Sequence, residues 1–189
     1  MRRLDLHPHK KLRNPRRHLR SLHRWVEGFA RFDGAGYSEF ADRFDHWRIP
    51  IHAKLSDEKH TTPEIQAEII QCLVDAAANL HAALPPERQH MPVATLITYP
   101  FLFNSEVTLF VDPDYFQSFK PRDIAASSTR SEYFQIDVEP SHVDVLGKFG
   151  IVLPAGARAG GYFMRQIDFE APCCTVEYEH CVVAFWPGD

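Results

Sequence analysis

The sequence predicts an α+β fold, in which N-terminal helices pack on a mostly antiparallel sheet formed by the C-terminal two-thirds of the chain. Apolar residues up to about residue 84 recur at three- and four-residue spacing, which is typical of amphipathic helices. From about residue 92 they form short runs or alternate with polar residues, as in strands. Helices that precede a series of strands joined by short turns favour this class over alternating βαβ units.

Length and composition point to one water-soluble domain. We assign that domain to residues 14–189, preceded by a basic arm at residues 1–13. No run approaches the roughly 18 consecutive apolar residues that a membrane span needs. The charged N-terminus lacks the apolar run of a secretory signal peptide, and the four cysteines lack the spacing of a disulfide framework. We therefore expect a cytoplasmic protein with reduced thiols.

Charge is divided unevenly along the chain. Residues 1–31 contain ten Lys and Arg residues against two acidic ones, which gives +8. The remaining 158 residues contain 11 basic and 23 acidic side chains, which gives −12. The net charge of −4 therefore conceals a basic head on an acidic body. Each part attracts either the other part or an oppositely charged partner.

The first helix is predicted to begin at Asn14 and Pro15, because Asn is a favoured N-cap and Pro a favoured first helical residue. It is expected to end near Gly34. The apolar stripe on one face consists of Leu19, Leu22, Val26 and Phe29. The rest of the circumference carries Arg16, Arg17, Arg20, Arg24 and Arg31. We expect the stripe to dock on the body and the arginines to face outward.

The second helix has the clearest start in the sequence. Thr61 and Glu64 fit a capping box, and the Pro-Pro pair after Leu84 ends the helix. Between the two helices, Pro50 cannot donate a hydrogen bond to a neighbouring strand. Residues 48–51 are therefore predicted to form an edge strand or an extended loop, not a central strand.

The strands are predicted in the second half of the chain. Residues 93–99 are apolar on both faces and predict a central strand, with residues 106–111 as its hairpin neighbour. Residues 175–186 alternate and predict the last strand. Further strands are expected at 133–138 and 162–167, helical segments at 112–119 and 141–149, and a loop at 120–131.

Residue types that carry chemistry are present, but their spacing does not match the common catalytic or metal sites. Among the eleven histidines, His18 and His23 are five residues apart and so do not share a helical face. Cys173, Cys174 and Cys181 lack the spacing of a zinc site. No G-x-S-x-G motif marks a serine nucleophile, and no glycine pattern marks a phosphate-binding loop. We therefore expect neither a metal nor a cofactor.

One pair of acidic residues keeps a hydrolytic alternative open. Glu177 and Glu179 share a face of the last strand at a separation of about 7 Å, and Asp168 and Glu170 lie on a nearby segment. Two carboxyl groups at this separation are able to act as general acid and base. A solvated sheet face produces the same pattern, because isolated carboxylates are normally exposed.

Four segments form a pattern of packing and turn residues without a catalytic signature. They are KKLRNPRRHLRSLHRWVEGF, DHWRIPI, FLFNSEVTLFVDPDYFQSF and the terminal FWPGD. Together they resemble an uncharacterised bacterial domain family of about the same length, over most of the chain. Some members of that family look like immunity proteins encoded beside polymorphic toxins. The resemblance therefore implies a protein that acts by binding a toxin.

The leading hypothesis is a non-enzymatic, cytoplasmic immunity-type protein that binds and neutralises a cognate bacterial toxin through an acidic surface. Complementary charge raises the rate of association with a basic partner such as a nuclease. The candidate contacts lie in or next to predicted loops and include one aromatic anchor. They are Asp112, Asp114, Tyr115, Glu132, Asp137, Glu139 and Asp144.

The alternative hypothesis is a nucleic-acid-binding regulator that uses the basic N-terminal helix. Its candidate contacts, which are able to bind phosphate groups, are Arg16, Arg17, Arg20 and Arg24. The acidic body disfavours an extended footprint on a polyanion. The arginines are therefore equally consistent with a hydrated face or with binding to the acidic body.

Overall fold

The computed structural model describes residues 15–32, 44–56, 61–99, 101–111, 133–137, 145–159, 161–167 and 175–186. The helices in these ranges are α1 (Pro15–Phe29), α2 (Ala53–Ser56), α3 (Pro63–Ala83) and α4 (Val145–Phe149). The strands are β1 (Phe44–Arg48), β2 (Val93–Ile97), β3 (Glu106–Phe110), β4 (Tyr133–Asp137), β5 (Gly161–Ile167) and β6 (Thr175–Trp186). The predicted α+β class, with helices before the main strands, is confirmed.

The six described strands form one antiparallel sheet in the order β1-β3-β2-β6-β5-β4. β2 and β3 are the predicted hairpin. At one edge β1 pairs with β3, so that Arg48 lies opposite Glu106, and the chain leaves the sheet before Pro50. At the other edge β4 pairs with β5, with Asp137 opposite Gly161. The predicted antiparallel sheet is therefore confirmed. Of residues 48–51, predicted to form an edge strand or an extended loop, Arg48 ends the edge strand β1 and residues 49–51 follow it outside the strand.

β6 joins the two halves of the sheet. Its C-terminal half pairs with β2, where Cys181 lies opposite Ile97. Its N-terminal half, residues 175–180, pairs with β5. The register against β2 shifts between Thr95 and Leu96, and a β-bulge of this kind increases the local twist. β5 pairs with the half of β6 that does not pair with β2. β4 and β5 therefore extend the sheet past Ile97, the end of β2 from which the chain turns toward β3.

α3 is the central helix of the core. Its buried residues are Gln66, Ile69, Ile70, Cys72, Leu73, Val74, Ala76, Ala77 and Leu80. The helix packs against α1 and also against β2, β3 and β6. The sheet contributes Val93, Ile97, Val107, Leu109 and Trp186 to the same core cluster. Because these side chains come from one face of the sheet, α3 lies between that face and α1.

α1 docks through the predicted apolar stripe, whose four residues are all buried. Polar contacts fix the position of the helix along α3. Asn79 Nδ2 donates a hydrogen bond to the carbonyl oxygen of Val26 at 3.2 Å. About one turn earlier on α1, His23 Nε2 lies 2.8 Å from Glu68 Oε1. The predicted orientation of α1, with its apolar face on the body, is confirmed.

The N-cap of α3 is one residue later than predicted. Thr62, not Thr61, caps the helix, and its side-chain oxygen accepts a hydrogen bond from the Ile65 backbone N–H at 3.4 Å. This register places Pro63 at the first helical position, where a backbone N–H would have no partner within the helix. The position of the proline therefore determines which of the two adjacent threonines is the N-cap.

β2 ends at Ile97, two residues before its predicted end. The reason is local, because the Thr98 backbone N–H donates to the Ser105 side-chain oxygen at 3.0 Å. The predicted helix at 141–149 is confirmed for its last five residues as α4. The basic arm at 1–13, the helical segment at 112–119 and the loop at 120–131 lie outside the described residues.

α4 ends in a Schellman motif, in which the residue after the helix adopts a left-handed conformation. Gly150 has φ of +62°. Its N–H donates to the Gly147 carbonyl oxygen at 3.3 Å, and the Ile151 N–H donates to the Leu146 carbonyl oxygen at 3.0 Å. The motif reverses the chain directly after α4 and fixes the position of the following residues.

Two glycines should respond to alanine in opposite directions. Gly150→Ala forces a Cβ into a left-handed conformation and should lower the free energy of unfolding by about 1 kcal/mol. Gly28→Ala, inside α1 and with no atom within 4 Å of the added Cβ, should raise it by about 0.5–1 kcal/mol. Urea unfolding of both variants checks this, and a destabilised Gly28→Ala protein would show that α1 is placed incorrectly.

Candidate functional site

An aromatic and apolar surface lies where the β2–β3 turn meets α4. We call it the aromatic surface and define it by six residues: Tyr99, Phe101, Phe103, Lys148, Phe149 and Val152. The large hydrophobic side chains that are exposed in the described part of the chain are Phe101, at 49%, and Val152, at 73%. Phe101 follows Tyr99 by two residues and Val152 follows Phe149 by three, so each of the two segments of this surface presents an apolar group to solvent.

The aromatic rings of this surface form two contacting pairs, and a lysine lies beside one of the pairs. The ring centroids of Tyr99 and Phe149 are 5.8 Å apart, and those of Phe101 and Phe103 are 6.2 Å apart. Lys148 Nζ donates a hydrogen bond to Tyr99 Oη at 2.6 Å and lies 4.4 Å from the centroid of the same ring. A cation at this distance is attracted to the ring face. These contacts connect α4 to the turn that follows β2.

The backbone of the most exposed residue, Val152, is held by the side chain of Gln71 on α3. Gln71 Nε2 donates to the Val152 carbonyl oxygen at 3.2 Å, and the Val152 N–H donates to Gln71 Oε1 at 3.1 Å. Gln71 Nε2 also donates to Asp75 Oδ1 at 2.9 Å, which orients the amide. Because the Schellman motif at Gly150 fixes the chain two residues earlier, the Val152 side chain projects from a constrained backbone.

Most of the residues predicted from the sequence to bind a toxin, acidic except for one tyrosine, lie outside the described part of the chain. This applies to Asp112, Asp114, Tyr115, Glu132, Glu139 and Asp144. Asp137 is placed by its backbone as the last residue of β4, opposite Gly161 of β5. The next residue of β5, Tyr162, lies opposite His180, and the residue after His180 lies opposite Ile97. Asp137 is therefore level with the end of β2, where the aromatic surface begins.

The structure brings the predicted arginines together on one surface. Arg16, Arg17, Arg20 and Arg24 are all exposed on α1. They lie on the side of the helix opposite the buried stripe. The structure thus confirms their outward orientation, which the sequence predicts from the helical period.

The carboxylate pair of the hydrolytic alternative lies in the N-terminal half of β6. In register, Glu177 is opposite Arg165 and Glu179 is opposite Phe163. An acidic and a basic residue directly opposite each other in an antiparallel pair form a common stabilising combination. The register therefore supplies a structural reason for Glu177 that requires no catalytic role.

A chain of Cys, His and Glu side chains connects α1 to α3, and sequence reasoning missed it. Cys72 Sγ lies 3.7 Å from His23 Nδ1, and His23 Nε2 lies 2.8 Å from Glu68 Oε1. Glu68 and Cys72 are four residues apart, so they share a face of α3. That spacing was visible in the sequence, but nothing in it identified His23, which is 45 residues away from Glu68, as the residue between them.

This arrangement contains the residue types of a cysteine nucleophile and its base, but the thiol is not activated. Burial, with contributions from the carboxylates of Asp75 and Glu68, raises the pKa of Cys72 to about 12. The thiol is therefore protonated at neutral pH, and only 2% of the residue is exposed. A protonated thiol donates to His23 Nδ1, which leaves the Nε2 proton for Glu68. These contacts between the Cys72, His23 and Glu68 side chains fasten α1 to α3.

A partly buried carboxylic acid, Glu106, lies near the edge of the sheet. Burial raises the pKa of Glu106, while His46, Arg48 and Thr108 favour its charged form. The Arg48 Nε to Glu106 Oε2 distance is 3.9 Å, which is long for an ion pair. These residues come from adjacent positions of β1 and β3, so the contact follows from the register of the edge strand.

The described ranges contain no group of three or more His, Cys, Asp and Glu side chains arranged to hold a metal ion. Within the same ranges, no helix has the length and apolar character needed to cross a membrane.

Fold and surface together define an α+β protein with a helical layer on one face of an antiparallel sheet and an exposed aromatic surface at the end of its hairpin. The chain matches the family described as "Protein of unknown function (DUF3916)" over residues 23–183, and it belongs to that family. The resemblance to an uncharacterised domain family of this length is thereby confirmed. No curated protein and no solved structure matches the chain.

Alkylation should show that Cys72 is not a nucleophile. A pKa increase from 9.0 to about 12 lowers the thiolate fraction at pH 8 by about three orders of magnitude, so Cys72 in the folded protein should react with iodoacetamide far more slowly than in urea. Peptide mass mapping separates Cys72 from the other cysteines. His23→Ala should not slow the reaction, whereas a rate at pH 8 equal to that in urea would contradict the protonated state.

Proposed function

We propose that the chain is a non-enzymatic, cytoplasmic immunity-type protein that binds a basic protein toxin and blocks it by contact. The observation that carries the proposal is the exposure of Phe101 and Val152 on the aromatic surface. Single exposed apolar residues are common on protein surfaces. Two of them in segments that also carry pairs of contacting aromatic rings, one on a backbone held by hydrogen bonds, are typical of a protein-binding surface.

Rigidity makes this surface suitable for tight binding. Association costs less when the contacting groups are already fixed in the free protein. Gln71 holds the backbone of Val152, and Lys148 holds the Tyr99 hydroxyl. At Val152 binding therefore restricts only the side chain, which has a single rotatable bond and loses little entropy.

The charge of the body favours a basic partner. Residues 32–189 carry a net charge of −12, and fields of opposite sign raise the rate of association. Asp144 immediately precedes α4 in the sequence, and Asp137 ends β4 at the level of Ile97. Asp144 thus directly precedes, in the sequence, the helix that carries part of the aromatic surface. Asp137 ends β4 in the same row of the sheet as the end of β2.

The state of Cys72 supports a role in binding over a role in catalysis. The thiol that lies beside an imidazole and a carboxylate is buried, and its pKa is raised to about 12. Catalytic cysteines need a lowered pKa and access to substrate. Cysteine, histidine and glutamate therefore serve packing here. The exposed apolar groups of the aromatic surface are suited to contact with a partner protein.

Truncation of the exposed apolar groups should weaken the complex. Phe101→Ala combined with Val152→Ala should raise the Kd for the purified product of the adjacent gene by at least about tenfold, the effect expected for hot-spot residues. Calorimetric titration measures the Kd, and thermal unfolding should change little because both side chains are exposed.

The matched control for this experiment is Glu87→Ala, an exposed residue on the 3₁₀ turn Pro86–Arg88, which should leave the Kd unchanged. Coexpression with the adjacent gene product provides a second measurement, since the wild-type chain should restore growth and the double variant should not. A Kd unaffected by the double substitution, or an adjacent product that the wild-type chain does not bind, would overturn the proposal.

Charge reversal should slow association. Asp137→Lys combined with Glu139→Lys should lower the association rate with the same partner, and the difference from wild type should shrink as salt is raised from 50 to about 500 mM, because exposed charges are screened. Glu27→Lys with Glu87→Lys, both exposed, matches the change in net charge. An equal decrease in both proteins would mean that net charge, and not an acidic contact surface, controls the rate.

A further inference from the structure

We propose that the outer face of α1 is a second binding surface, which holds the phosphate backbone of a nucleic acid. We call this surface the arginine ridge and define it as Arg16, Arg20 and Arg24. The proposal does not depend on the proposed toxin binding, because the arginine ridge shares no residue with the aromatic surface. It rests on the orientation, spacing and state of pairing of the three guanidinium groups.

The spacing of the ridge fits a row of phosphates. Residues four apart lie on adjacent turns of one helix face, so the three side chains follow one another along α1. Eight residues of helix span about 12 Å. A strand of a duplex carries one phosphate per about 3.4 Å of axis, so the ridge covers about three or four consecutive phosphates. Guanidinium groups bind phosphate oxygens in a bidentate manner.

The arginine ridge is not neutralised within the described part of the chain. Arg16, Arg20 and Arg24 are exposed, and none of them forms an ion pair with a described residue. Glu68 of α3, an acidic residue facing α1, is instead bound to His23. The interpretation that these arginines fold back onto acidic groups of the body therefore has no support from the contacts of α1 with α3.

The position of the charges along α1 also favours an anionic partner. The first turn of the helix contains Arg16 and Arg17 and no acidic residue. Positive charge near a helix N-terminus is unfavourable, because the helix dipole is positive there. A bound phosphate would relieve this repulsion. The sequence before the helix continues the same charge, with Arg2, Arg3, Lys10, Lys11 and Arg13.

The acidic body limits the size of the footprint but does not prevent it. At about 0.15 M salt, charges more than about 8 Å apart in solvent are largely screened. Glu27 is the one acidic residue of α1, and it lies at the end away from Arg16. A short contact confined to the ridge therefore avoids most of the repulsion from the remaining residues.

A nucleic acid fits this surface better than a membrane does. A helix that binds a lipid surface inserts an apolar face next to its basic one. The apolar face of α1 is already used, because Leu19, Leu22 and Val26 are buried against the body. The exposed face then contributes only charge and hydrogen bonds, which are the contacts that a phosphate backbone accepts.

The test is a salt titration of the full chain with a fluorescein-labelled random 20-base-pair duplex. Each phosphate contact on duplex DNA contributes about 0.9 to the slope of log Kobs against log salt. Arg20→Gln with Arg24→Gln should therefore make the slope shallower by about 1.8. Glutamine has a helix propensity close to that of arginine, so α1 should remain folded, which circular dichroism checks.

The charge-matched control is Arg48→Gln with Arg158→Gln, two exposed arginines outside α1, which should leave the slope close to that of the wild type. The proposal is overturned if the wild-type chain does not bind the duplex at 50 mM salt, or if both double variants lose the same slope. It is also overturned if the chain binds vesicles containing phosphatidylserine more tightly than it binds the duplex.

Discussion

Both exposed surfaces are held in place by one buried helix, α3. Its apolar residues contact α1 on one side and the sheet on the other. Polar side chains of α3 fix the position of α1 and of the segment that contains Val152. Asn79 binds the carbonyl oxygen of Val26 in α1, and Gln71 binds both backbone groups of Val152. The Thr95 hydroxyl of β2 donates to the Leu73 carbonyl oxygen at 3.4 Å. Any change in the position of α3 would therefore move the arginine ridge and the aromatic surface together.

The sequence was sufficient to predict those elements whose residues are close together in the chain. The stripe of α1 and the alternation of β6 follow from a helical and a strand period, and the observed start of α1 at Pro15 and the end of β6 at Trp186 match the predicted ones. The end of α1 was predicted near Gly34, but the helix ends at Phe29, where a turn follows. The cap of α3 was misplaced by one residue, because Thr61 and Thr62 offer the same hydroxyl. Only the position of Pro63 in the first turn distinguishes them.

The aromatic surface could not be predicted from the sequence, because its two parts are separated by about 50 residues. Tyr99 and Phe101 appear in the sequence as part of a strand and its turn, and Phe149 as the end of a helix. Only the packing of α4 beside the hairpin brings Lys148 to the Tyr99 hydroxyl. The same limit applies to His23 and Cys72, whose contact depends on how α1 crosses α3. Contacts between distant segments carry no periodic pattern.

The burial of Cys72 is the reverse of what a catalytic cysteine requires. A catalytic site exposes its reactive group in a cleft and buries apolar side chains around it. Here the thiol beside an imidazole is buried and protonated, while Phe101 and Val152 are in solvent. Burial of Cys72 removes its reactivity, and exposure of two large apolar groups gives up part of the hydrophobic stabilisation, about 1.5–3 kcal/mol, that full burial of each side chain would contribute. A surface that gives up stability in this way is explained if a partner covers it.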